Sequence, residues 1–290
     1  MPAERCCRIP GGSDEYRPVP FTSFQRSMTW GGRLQTLGAV IVGTILHGVV
    51  SAGSADDATR VLSGWSPWLY GLYQAYQPYH AGLREYARRQ GFQGPFEQLG
   101  TVLHEIIHLA SFRHQGFLVD GSYYEPYMKV HAWPDLTNEQ VAPYLMPRER
   151  GAIFDLYIRN TPKNHLGNIA DEINAYGHVL PFICQFEPAS AGKQARNLIG
   201  YLHIAEGYLR TLRTLMPGEY QKLAVHKEAR GALVLIIERG WAALRRCGIS
   251  DAAIPAHEAS EFIAKVRLTA PTWDLERRQT RSGSSRRRPN

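Results

Sequence analysis

From residue 56 to about residue 270, apolar positions recur at intervals of three and four, the spacing of helices that bury one side. Between Gln98 and Phe112, the residues Leu99, Val102, Leu103, Ile106, Ile107 and Ala110 form one broad stripe, and Gly94-Pro95 places a proline where a helix can start. In 167–183 the recurring residues are Ile169, Ile173, Tyr176, Leu180 and Ile183, the pattern of a second inward-facing helix. The same spacing predicts helices near 138–145, 148–159, 166–183, 190–215, 218–246 and 251–267, punctuated by Pro147, Pro162, Pro188, Pro217 and Gly248. Trp65 to Arg89 is dense in aromatic residues at helical spacing with a break near Pro78; it reads as packing, with tyrosine hydroxyls left able to meet a ligand.

One stretch has a different period. Phe117 to Tyr127 carries apolar and aromatic runs on either side of Asp120-Gly121, which predicts a hairpin, and Pro126 favours the sheet edge. An edge strand there could pair with an extended peptide. The expected fold class is therefore mainly α (α+β): one helical domain over 56–270 with a small β-hairpin or edge strand beside the 98–112 helix.

Charge changes the picture only at the ends. The net charge is +7, but residues 275–290 hold six Arg against one Glu, so the rest carries about +2. The segment 271–290 is expected to be a basic, disordered tail; it lacks the aromatic interleaving that favours single-stranded nucleic acid, and no specific nucleic-acid partner is predicted. At the other end, Arg26 and Arg33 precede an uncharged run from Leu34 to Val50 that closes on the small residues Ser51 to Ala55. That is the form of an export signal, with 1–55 as its region and Met28 as a candidate true start. Glycines and a histidine interrupt the run, so no stable membrane anchor is predicted and the mature chain is expected to be secreted or periplasmic. Cys184 and Cys247 remain after the signal; they could form one disulfide in an oxidising compartment or stay free and buried.

The most specific chemistry lies in His104-Glu105-Ile106-Ile107-His108. Residues four apart sit one turn above each other on a helix, so His104 and His108 can point two imidazoles at one metal ion, with Glu105 beside them. The stretch looks like the zinc-binding helix of the zincin metallopeptidases. The resemblance covers this helix and implies one Zn2+ per chain, His104 and His108 as ligands, Glu105 as general base, and a protein or peptide substrate.

Two residues compete for the third ligand position. His114 has the spacing of the metzincin pattern, but Ser111 stands where that pattern has its turning glycine, and an unbroken helix would swing His114 roughly 80° away from His104 at about 100° per residue. Glu172, at the edge of the second inward stripe, resembles the gluzincin arrangement and is the favoured third ligand. In that arrangement an acidic residue often follows four positions later to hold a ligand imidazole, and here Tyr176 stands at that place. Asp171 and Asn168 share a more polar face with His178 and read as supporting groups. Tyr123, Tyr124, Tyr176 and His178 are all candidates to stabilise an oxyanion. Glu206, Glu238, His203, His226 and His257 read as surface or packing residues.

The expected function is an exported zinc metallopeptidase. Two other classes stand beside it: an effector-type zinc hydrolase with one specific target, and a non-catalytic helical zinc-binding interaction protein. Intact Glu105 argues against the last, because a closed structural site needs no general base.

Overall fold

The structure is a computed structural model and describes residues 54–124, 133–160 and 165–269. The expected export run, the basic tail, and Pro126 and Tyr127 at the end of the hairpin stretch lie outside the described residues. Within them the chain is mainly helical, with one two-stranded antiparallel sheet.

Among the described residues, three helices precede the one that carries HEIIH: α1 (Ala55–Trp65), α2 (Pro67–Ala75) and α3 (His80–Arg89). Ser54 and Asp57 form a reciprocal capping box at the start of α1, and a short 3-10 turn at Gln77–Tyr79 takes up the break at Pro78. Helix α4 (Pro95–His114) carries His104, Glu105 and His108. Its end follows from backbone geometry: Gln115 is left-handed (φ 52°), and Gly116 N donates to Ser111 O at 3.1 Å. The hairpin is β1 (Phe117–Val119) and β2 (Ser122–Tyr124), joined by Asp120 and Gly121, both at positive φ as a two-residue turn of this hand requires.

Helix α5 (Asn138–Val141) is short, and α6 (Ala152–Phe154) runs directly into a π-turn at Asp155–Arg159. Then come α7 (Leu166–Phe186), α8 (Pro188–Leu215), α9 (Pro217–Val225), α10 (Lys227–Arg246) and α11 (His257–Thr269). No helix among the described residues is long and apolar enough to cross a membrane.

Helix α7 is the centre of the packing because it is apolar on more than one side. Ala175, Val179, Phe182 and Ile183 join Leu99, Leu103, Ile106 and Ile107 of α4 in one cluster with α1 to α3. Ile169, Ala170, Ile173 and Leu180 join α8, α10 and α11 in a second, larger one. Small residues let its neighbours come close. A Cβ on Gly100 of α4 would stand 2.6 Å from Ile183 Cδ1, and one on Gly240 of α10 would stand 3.0 Å from Ile173 Cγ2. A disulfide, Cys184–Cys247, ties α7 to the end of α10 with Cα atoms 5.5 Å apart.

Three predicted helices are corrected. The one near 148–159 is broken: a 3-10 turn (Pro147–Glu149) is separated by Gly151 from α6 and its π-turn. The one near 218–246 divides at His226, whose Nδ1 accepts from Ala229 N and caps α10; neither Pro nor Gly marks that break. The one near 251–267 begins six residues later, at His257, after a 3-10 turn at Asp251–Ala253 and Pro255.

Candidate metal centre

Helices α4 and α7 pack face to face, and their contact buries a polar cluster. His104 and His108, one turn apart on α4, are 8% and 6% exposed, and Glu172 of α7 is 8% exposed. Their donor atoms converge. His104 Nε2 and His108 Nε2 are 3.0 Å apart, and Glu172 Oε2 lies 3.3 Å from the first and 3.7 Å from the second. An ion with tetrahedral ligands at about 2.0–2.1 Å needs donors roughly 3.3 Å from one another, so this triangle fits zinc. Two imidazoles and a carboxylate also form the kind of mixed nitrogen and oxygen donor set that zinc takes. The group could hold a metal ion.

Neighbouring residues orient these donors. Asp171 Oδ2 lies 2.7 Å from His108 Nδ1. A carboxylate only accepts, so His108 carries its hydrogen on Nδ1 and turns Nε2 toward the cluster. Tyr157, in the π-turn after α6, donates to Glu172 Oε1 at 2.5 Å and so occupies the oxygen that faces away from the imidazoles. The ring of Tyr176 meets that of His104 edge-on, with centroids 4.4 Å apart, and its hydroxyl accepts from Asn197 Nδ2 of α8 at 2.9 Å. Tyr201 of α8 closes the group, its ring 5.0 Å from that of Tyr157 and 5.6 Å from that of Tyr176.

These contacts set the charges. Burial opposes ionisation of Glu172, but the two histidines outweigh it and hold the carboxyl well below the usual carboxylate range. Burial likewise opposes protonation of His108, while Asp171 and Glu172 pull its value well above that of a free imidazole. Glu105 is half-buried. Burial pushes its carboxyl up, against His104 and His108, and Glu172 and Asp171 add to the rise. A carboxylate that binds its proton more tightly than usual is suited to accept one. Burial also raises the Tyr157 phenol far above its ordinary value, and the charge of Glu172 adds to it, so the hydroxyl keeps its hydrogen.

Of the residues singled out from the sequence, His104, Glu105, His108 and Glu172 come together, and Asp171 supports them. His114 does not join them. It is exposed at the end of α4, and its ring lies 4.2 Å from that of Tyr123 in β2. Ser111, at the place of the metzincin glycine, is fully buried and accepts from Leu118 N of β1 at 3.1 Å. Leu118 O in turn accepts from Asn174 Nδ2 at 3.0 Å and from His178 Nε2 at 3.2 Å. The backbone of Leu118 that faces away from β2 is thus taken by side chains, which leaves β2 as the outer edge of the hairpin.

The four candidates for an oxyanion are scattered. Tyr176 touches a cluster imidazole, Tyr123 lies against His114, half-buried Tyr124 packs on the core, and His178 sits between Leu118 and Arg239. Among the later residues, Glu206 is buried and caps α11, accepting from Glu258 N and Ala259 N at 2.6 and 2.9 Å. Sequence reasoning missed Tyr157, Tyr201 and Asn197, which lie on elements other than the helix of Glu172 and are joined to it by no continuous helical repeat. Tyr86 of α3 read as packing, its hydroxyl left able to meet a ligand; burial, then the charges of Glu105 and Glu172, raise its phenol.

Compared with known proteins, the chain matches no protein-family model, no curated protein and no solved structure.

Proposed function

We propose that this chain is an exported zinc-dependent metallopeptidase, with His104, His108 and Glu172 as ligands and Glu105 as general base. The observation that carries the reading is the fit of the three converging donors to zinc, with a carboxylate of raised basicity on the same helix. Among the described residues the protein supplies three donors, the number typical of catalytic sites, where structural sites use four. Zinc bound there would polarise a substrate carbonyl and make water more acidic.

The chain's own residues do the rest. Glu105 takes a proton from water as the water oxygen bonds to the carbonyl carbon of the scissile peptide. As the C–N bond breaks, Glu105 passes that proton to the leaving amine nitrogen, and the oxygen stays in the new carboxyl group. Asp171 keeps His108 in the tautomer that presents Nε2. The Cys184–Cys247 bond supports export, because such bonds persist in oxidising compartments.

The test is Glu105→Gln. Loss of peptide hydrolysis in a mixed-peptide digest, with zinc still bound at one per chain, supports the reading; undiminished hydrolysis eliminates it. The number of distinct cleavages in the same digest separates a general peptidase from an enzyme with one target.

A further inference from the structure

Glu172 divides its two carboxylate oxygens between different partners. Oε2 faces the imidazoles at 3.3 and 3.7 Å, whereas Oε1 accepts from the Tyr157 hydroxyl at 2.5 Å. A carboxylate with both oxygens unengaged can rotate to offer both to an ion, and that raises the coordination number and consumes a position needed for water and substrate. From this division we infer that Tyr157 is a positioning residue that makes Glu172 a one-oxygen ligand and keeps a coordination position open. The inference rests on the metal-centre reading above.

The surroundings of Tyr157 fit that task. It belongs to a π-turn, in which Asn160 N donates to Asp155 O at 2.9 Å; such turns are rare and often found at functional sites. Its backbone is held as well: Asn138 Nδ2 donates to Tyr157 O at 3.2 Å, and buried Asn138 accepts from Tyr208 of α8 at 3.4 Å. Its ring packs edge-on against Tyr201, 5.0 Å between centroids. Backbone, ring and hydroxyl are thus fixed by three different elements, the rigidity a group needs if it is to hold a ligand in one orientation. Tyr157→Phe would leave the ring contact and remove only the hydroxyl.

The experiment loads the full chain with Co2+ in place of zinc and reads its visible absorption, which is intense for four-coordinate cobalt and falls as coordination rises. Wild type should give the intense spectrum. Tyr157→Phe should give a weaker, shifted one, together with zinc affinity lowered about 10–100-fold in chelator competition. X-ray absorption fine structure of the zinc-loaded wild type checks the point without any variant: one carboxylate oxygen in the nearest shell supports the inference, and two overturn it. A wild-type cobalt spectrum in Tyr157→Phe with unchanged zinc affinity overturns this inference alone. Wild-type chain that takes up neither metal overturns the metal centre and this inference with it.

Discussion

His108 Nδ1 and Asp171 Oδ2 stand 2.7 Å apart, both side chains buried, and the contact joins the helix of HEIIH to the helix of Glu172. In the gluzincin arrangement that the sequence resembles, an acidic residue four positions after the third ligand often holds a ligand imidazole. Here the acid comes one position before Glu172, and Tyr176, four positions after, packs its ring on His104 instead. Asp171→Asn keeps the shape but removes the charge that favours the Nδ1 hydrogen. Zinc affinity should fall about 10–100-fold, measured by competition with a chromophoric chelator. Equal affinities in the variant and wild type would show that His108 is oriented without Asp171.

Metal removal should destabilise the fold, because the three donors come from two helices that the ion would hold together. Free zinc at a thousand times its dissociation constant contributes about 4 kcal/mol. The melting temperature of the wild type should therefore drop in a strong chelator and recover when zinc is added in excess. In Glu172→Ala that response should be largely lost. A wild type whose melting temperature ignores both chelator and zinc would contradict a ligated site.

Much of this could be read from the sequence where the signal is local. The stripe from Leu99 to Ala110 identified α4, Asp120-Gly121 identified the hairpin turn, and the repeat from Ile169 to Ile183 identified α7 and put Glu172 at its inner edge. Helix phase counted against His114 as third ligand without removing it, and its ring lies against that of Tyr123. What could not be read depends on pairing across the fold. Tyr157 is 15 residues from Glu172, on a π-turn that no periodicity announces. The break at His226 has no proline or glycine, since an imidazole supplies the cap. The face of α7 with Asp171 and His178 reads as polar, yet both are buried, because α4, the hairpin and α10 provide their partners.

The disulfide should matter to stability through the unfolded chain. Cys184 and Cys247 are 63 residues apart, and closing a loop of that length is worth about 4 kcal/mol on the chain-entropy account, with measured bonds commonly giving about 2–4. Urea unfolding of the wild type and of Cys184→Ser/Cys247→Ser should show the midpoint falling in the variant, and reductant should lower only that of the wild type. Zinc affinity of the variant should change little, since Cys184 lies about three turns along α7 from Glu172. A midpoint unaffected by loss of the bond would mean that helix packing alone fixes α7 against α10.

His178 gives the fold an acid-sensitive joint. Its Nε2 hydrogen goes to Leu118 O at 3.2 Å, its Nδ1 accepts from Arg239 Nη1 at 3.2 Å, and Arg239 is also paired with Asp120 of the hairpin turn. The Trp68 ring lies against it, 5.0 Å between centroids. A neutral imidazole satisfies both neighbours; a protonated one would set a second hydrogen against the guanidinium. Burial first, and then Arg239, hold its pKa well below the ordinary value of 6.5. Above pH 6.5 neither the folded nor the unfolded chain protonates this group, and its contribution is fully present. As pH falls from 6.5 toward the folded value, the unfolded chain takes up a proton that the folded one refuses, and stability is lost at up to about 1.4 kcal/mol per pH unit. Burial lowers His80 and His165 as well, so a wild-type slope alone assigns nothing. The comparison with His178→Gln does, because those groups are common to both chains. Urea unfolding at pH 7.5, 6.5 and 5.5, with chelator present so that metal release adds nothing, should show the wild type losing more stability over the interval than the variant. Parallel losses would mean that His178 is not the group being protonated.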